Sequence, residues 1–207
     1  MRRRVVLAAI AATLAIFGNA ALTSAVPDAT CTARVEPLVR WIRTAPPNER
    51  AALDRWCAAV GPPVRIAPLR GPEVFTGPFA VVSWNTHVGA GDLEQLVADL
   101  RSGRLTAGRP IAQFVLLLQE VYRAGPDVAV PQGRAAWAAA EQPPRRSGAR
   151  EDVVHAATRL GLGAVYVPSM RNGAPRHTDE DRGNAIVSTA ALADPVAIEL
   201  PLERQRR

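Results

Sequence analysis

Two apolar runs that each close on polar residues constrain this chain more than any other feature. One is Phe79-Ala80-Val81-Val82-Ser83-Trp84-Asn85-Thr86-His87-Val88-Gly89, and the other is Phe114-Val115-Leu116-Leu117-Leu118-Gln119-Glu120. A short apolar run bounded in this way reads as a buried strand, and its polar carboxyl end is where such a strand opens onto a site. Between the runs, Asp92 is placed to cap a helix carrying Leu93, Leu96, Val97 and Leu100, with Gly103 just past its end. Strand, helix and strand at this spacing predict a right-handed crossover onto a buried sheet, and an α/β fold class.

The remaining pattern extends that reading. Asp152 to Leu160 predicts a helix with Val153, Val154, Ala157 and Leu160 inward and Gly161 as its stop. Strands are predicted over Ala164–Pro168, Asn184–Ser188 and Val196–Leu200, with Tyr166 in the core or in the wall of a cleft. Tyr122 to Arg150 is rich in Pro, Gly, Ala and Arg and reads as a long surface loop with one short helix at Ala135 to Ala140. No internal repeat is present.

The strand ends carry the chemistry. A carboxylate such as Glu120 beside a carboxamide such as Asn85 suits a hard divalent cation, which takes oxygen ligands and keeps several waters. Taken alone, Gln119-Glu120 also fits a strand end meeting solvent, and Asn85 fits a residue that satisfies a turn. His87 is by type a candidate general base, and neither His155 nor His177 has a partner visible in the sequence. Glu180-Asp181 reads as part of a solvated loop, the alternative being a further carboxylate near the cleft.

In Trp84-Asn85 and Gln119-Glu120 the chain resembles the endonuclease/exonuclease/phosphatase superfamily, the deoxyribonuclease I-like metal phosphodiesterases. Gly183-Asn184-Ala185-Ile186-Val187-Ser188 is similar to that family's third motif, a Gly-Asn before an apolar strand ending in Ser. The resemblance covers residues 79–207 and only the amino-terminal half of the family fold. It implies part of a four-layer α/β/β/α sandwich, apparently truncated. It also implies Glu120 as a metal ligand, Asn85 orienting the phosphate or nucleophile, and Asn184 in a role that varies among subfamilies. The implied cofactor is magnesium or manganese, and the implied substrate is a phosphate ester such as nucleic acid or phospholipid. The family's later motifs, a His after a later strand, a Gly-Asp-Phe-Asn type segment and a terminal Asp-His, do not occur in the 207 residues. The resemblance therefore implies an incomplete and inactive hydrolase unless a carboxyl-terminal half is supplied separately. The alternative is a non-enzymatic exported interaction module that keeps half the scaffold.

Upstream of residue 79 the chain has a different character. Arg2-Arg3-Arg4, an uncharged run from Val5 to Phe17 and small residues ending Thr23-Ser24-Ala25 have the order of a secretory signal peptide over 1–25. The apolar run falls short of the roughly 20 residues a spanning helix needs, so no stable membrane span is expected after cleavage, and the product is secreted or periplasmic. Losing the three leader arginines lowers the formal charge from +6 to +3. Every basic residue is arginine, and without clustering among aromatics this composition reads as a solvated surface, not a nucleic-acid footprint. Residues 26–61 form a predicted helical segment, with Val35, Leu38, Val39 and Ile42 on one helix face and Leu53, Trp56 and Val60 on a second. Cys31 and Cys57 flank the pair, and an even count in an exported chain favours a disulfide, two buried thiols being the alternative. The Pro- and Gly-punctuated stretch 62–78 reads as a linker.

Overall fold

Where the chain was expected to alternate strand and helix, it does so. The computed structural model describes residues 39–43, 60–125, 128, 150–171 and 180–199. The predicted leader, both cysteines, His177 and the short helix expected at 135–140 lie outside the described residues. In chain order the elements are β1 (Arg40–Arg43), β2 (Val64–Ile66), β3 (Ala80–Asn85), α1 (Leu93–Ser102), β4 (Phe114–Ala124), α2 (Val153–Arg159), β5 (Gly163–Arg171), β6 (Glu180–Ser188) and β7 (Val196–Glu199). Five strands form one mixed sheet in the order β2-β5-β6-β4-β3, while β1 and β7 form a separate two-stranded sheet. Within the larger sheet only β3 and β4 run parallel, as their helical connection requires.

Both helices form where their caps dictate. The Asp92 carboxylate accepts the Gln95 N–H at 2.7 Å, and Gly103 closes α1 at φ 81°, a conformation glycine adopts without Cβ strain. Leu93, Val97 and Leu100 of α1 and Val153, Ala156 and Ala157 of α2 pack on Phe114, Leu116, Leu118, Tyr166, Ala185 and Val187 of the sheet. Tyr166 thus belongs to the core. On the exposed side Arg159 joins the helices, donating to Glu151 at 2.7 Å and to Glu94 at 2.9 Å. Those bonds, the one to Glu151 foremost, raise the Arg159 pKa above its ordinary value.

Asp152 ties α2 to the sheet. One carboxylate oxygen accepts the Val154 and His155 N–H groups at 2.8 and 3.0 Å, and the other accepts the Ala124 N–H at 2.7 Å. Losing the cap costs about 1 kcal/mol, and stranding the half-buried Ala124 N–H adds roughly 1–3 kcal/mol. Asp152→Ala is therefore expected to destabilise the fold by about 2–4 kcal/mol in denaturant unfolding. Asp152→Asn, which keeps one acceptor oxygen for the cap, is expected to cost less; equal losses would mean that the Ala124 bond dominates.

Four expectations are corrected. Arg40–Arg43, read as the end of a helix, is a strand whose residues pair in parallel with Val196–Glu199. The stretch read as a linker contains β2, which pairs antiparallel with β5 through Val64↔Tyr166 and Ile66↔Ala164. Strand β4 continues past Glu120 to Ala124 where a surface loop was expected, because a bulge between Leu118 and Val121 lets the ladder to β6 resume. Asp181, expected in a solvated loop, is fully buried in β6 directly opposite the buried Arg123 of β4, and it accepts the Gly61 N–H. Among the described residues no helix is long and apolar enough to cross a membrane.

The two faces of the large sheet differ. The face under the helices is closed. On the opposite face one row crosses four strands through Ser83↔Leu117, Leu117↔Ile186 and Ile186↔Val165. Val165 is buried beneath Val39 and Ala197, beside the small β1–β7 sheet. Toward β3 the cover runs out: Ile186 is 39% exposed, Leu117 37% and Val81 58%.

Candidate active site

Two residues along from that apolar row, β3, β4 and β6 each present a polar side chain, while β5 presents Val167. Asn85 ends β3 and pairs with Gln119 of β4. On the other side of β4 the ladder runs Leu118↔Ala185 and then Val121↔Gly183, so Gln119 and Glu120 together face Asn184 of β6. Adjacent strands are about 4.8 Å apart, which puts Asn85, the Gln119-Glu120 pair and Asn184 in one row about 10 Å wide. Strand alternation sets this row on the same face as Val81, Leu117 and Ile186. Leu118 and Val121 both point into the core, and the bulge residues between them do not. The structure therefore brings together Asn85, Glu120 and Asn184, the three residues singled out from the sequence, and all three are exposed.

The bulge is what allows Glu120 to join the row. An extra residue on one strand interrupts the ladder and re-aims a side chain. Glu120 adopts φ 50°, the left-handed region, which costs a residue with a Cβ about 1–2 kcal/mol. Such outliers collect at functional sites, where neighbouring structure holds them in place. Its carboxylate has no ion-pair partner among the described residues.

Sequence reasoning passed over two residues here. Gln119 is fixed on the face by its amide, which donates to the Leu117 carbonyl at 2.8 Å and to the Ser83 hydroxyl at 3.3 Å. Thr86, which follows Asn85, is buried and hydrogen-bonded to the bulge. Its hydroxyl looks like any loop threonine in the sequence, and no short-range signal marks it. Asn85 itself is oriented locally: its Oδ1 accepts the His87 N–H at 2.9 Å, an Asx turn that leaves the Nδ2 hydrogens as the free donors.

The other sequence candidates stand apart from the row. His87 is exposed in the turn after Asn85 at φ 51°, and His155 is exposed on α2, whose residues pack on the opposite face. Glu180 is half-buried, 3.5 Å from Arg150. Glu120 supplies a carboxylate and Gln119 and Asn184 supply carboxamide oxygens, an oxygen acceptor set that fits a hard cation and not a thiophilic one, while Asn85 offers N–H donors. Among the described residues no three His, Cys, Asp or Glu side chains group to hold a metal ion.

No family model, no curated protein and no solved structure matches this chain.

Proposed function

We propose that this chain supplies one wall of the active site of an exported, divalent-metal-dependent phosphoric ester hydrolase, acting on phosphodiesters or phosphomonoesters such as nucleic acid or phospholipid. The single observation behind this reading is the row of Asn85, Glu120 and Asn184 across three neighbouring strands, with Glu120 turned onto the open face by a bulge.

In this reading Glu120 is the protein ligand to magnesium or manganese. When bound, the ion supplies positive charge against the negative charge that builds on the phosphoryl oxygens. Asn85, with its carbonyl oxygen already engaged, offers N–H donors to a phosphoryl oxygen and fixes it relative to the attacking water. Asn184 offers a second carboxamide on the far side of Glu120. Hydrolysis forms a water oxygen–phosphorus bond as the ester bond breaks, and a base must take the water proton. That base, with the remaining ligands, is assigned to a carboxyl-terminal segment that carries the family's later motifs. The segment completes a four-layer α/β/β/α sandwich by covering Val81, Leu117 and Ile186. The leader at 1–25 and a Cys31–Cys57 bridge belong to the same reading of an exported protein.

Alone, the chain is expected to give no more than trace magnesium-dependent hydrolysis of a model phosphodiester. Mixing with a carboxyl-terminal half that carries the missing His, Asp-Asn and Asp-His segments is expected to restore activity. Strong hydrolysis by the unaided chain would remove the division of labour proposed here.

A second reading, a non-enzymatic interaction module, is favoured by the exposure of Val81, Leu117 and Ile186 on one sheet face. A partner that binds this face without conferring hydrolysis, even with the missing segments present, would decide for the module.

A further inference from the structure

We infer that Thr86 is the positioning residue that holds Glu120 in its left-handed conformation and so aims its carboxylate at the open face; this rests on the metal-site reading of Glu120. Every polar group of Thr86 is used. Its N–H donates to the Gln119 carbonyl at 2.9 Å, and its own carbonyl accepts the Gly91 N–H at 3.0 Å. Its hydroxyl donates to the Glu120 carbonyl at 2.9 Å, with the Gln119 carbonyl at 3.2 Å, and accepts the Gly89 N–H at 3.4 Å. The residue is 5% exposed, so water does not substitute for these partners.

The arrangement joins two strained pieces of backbone. On one side is the bulge, with Glu120 at φ 50° and its peptide out of the ladder to β6. On the other is the turn after Asn85, where His87, Val88 and Gly89 run consecutively at φ 51°, 59° and 73°. Without support from its surroundings a residue with a Cβ leaves the strained left-handed region, which re-aims its side chain. The carbonyl oxygen of Glu120 is fixed by the Thr86 hydroxyl, so the residue cannot rotate without breaking that bond. Because Thr86 directly follows Asn85, the same residue locks the carboxamide and the carboxylate to each other. Outer groups that orient a metal ligand in this way typically change metal affinity by about 10–100-fold.

The test uses the isotope-labelled full chain and Mn²⁺ as the probe. Thr86→Val removes the hydroxyl at nearly constant shape, and Thr86→Ser restores it. In Thr86→Val the Glu120 Cα and Cβ chemical shifts are expected to move away from left-handed values, and in Thr86→Ser to stay in place. Mn²⁺ is expected to broaden the side-chain amide signals of Asn85, Gln119 and Asn184, at about tenfold higher concentration in Thr86→Val than in wild type. Unmoved Glu120 shifts in a folded Thr86→Val, or loss of the left-handed shifts in Thr86→Ser, would overturn the inference. So would unaltered Mn²⁺ dependence in Thr86→Val while Glu120→Gln abolishes broadening. Broadening absent in wild type, or unchanged in Glu120→Gln, would instead sink the metal reading, leaving the shift comparison to decide the role of Thr86. If Thr86→Val does not fold, Thr86→Ala against Thr86→Ser decides on the same shifts. Failure of both hydroxyl-free variants to fold would make Thr86 a general fold determinant and overturn the local role.

Discussion

Glu120→Ala is expected to lower magnesium-dependent hydrolysis by the complemented enzyme by about 10²-fold or more, the scale of losing charge stabilisation and positioning together. Glu120 is the row's one carboxylate, and it is held on the open face at a conformational cost. In the proposed site, removing it deletes the one anionic ligand of the row. Glu120→Gln keeps the shape and the oxygen but not the charge, so it is expected to lose nearly as much at saturating substrate and to shift the magnesium dependence upward. Asn85→Ala is expected to cost a similar factor without that shift, because in the proposed site its free donors serve the phosphate and not the metal. His87→Ala is expected to do much less. Restored activity that is indifferent to Glu120 would dispose of the proposed wall, whatever the fate of the overall hydrolase reading.

Gly183→Ala is expected to be the most damaging small substitution in the sheet. A Cβ built there would fall on the Val167 carbonyl oxygen and lie 2.8 Å from the Pro168 Cα. Both obstacles are backbone of the neighbouring strand β5, which cannot rotate away as a side chain can. Forcing β5 and β6 apart here breaks the ladder beside a second irregularity between Pro168 and Met170. Overpacking against movable groups costs about 1–3 kcal/mol, and a clash between paired backbones should reach or exceed the top of that range. Thermal unfolding measures it. A fully stable Gly183→Ala would mean that β5 and β6 can separate at this point without loss. In the sequence Gly183 stood out only as part of a Gly-Asn motif; the structure gives it a steric task, with Asn184 one residue on facing the site.

Much of the frame was legible because its signals are local. The Asp92 and Gly103 caps, the Leu93-Val97-Leu100 face of α1 and the runs of β3 and β4 are short-range patterns, and each became the expected element. Asn85 and Glu120 were legible as strand ends for the same reason. The failures are non-local. β2 has three residues and β1 four, too few to show a period, and their existence depends on partners far along the chain. The end of β4 was misread because the bulge resets its alternation, so that Val121 and Arg123 face inward after a break of phase. Arg123 and Asp181 read as surface charges one at a time, and only cross-strand registration makes burial of both intelligible. Thr86 was invisible because its role consists of bonds to a conformation that the sequence does not announce.

The pairing of Arg40 with Val196 makes the order of synthesis matter. During translation β1 leaves the ribosome while almost the whole large sheet is still unmade, and it must wait, unpaired, until β7 follows it. Closing so long a loop adds little free energy per added residue but delays the contact. Val165 and Val167, which pack with Val39 and Ala197, therefore stay uncovered from the synthesis of β5 until β7 follows. Until that last strand arrives, the half-built sheet offers a sticky, unfinished edge to whatever chaperone or neighbouring nascent chain meets it first.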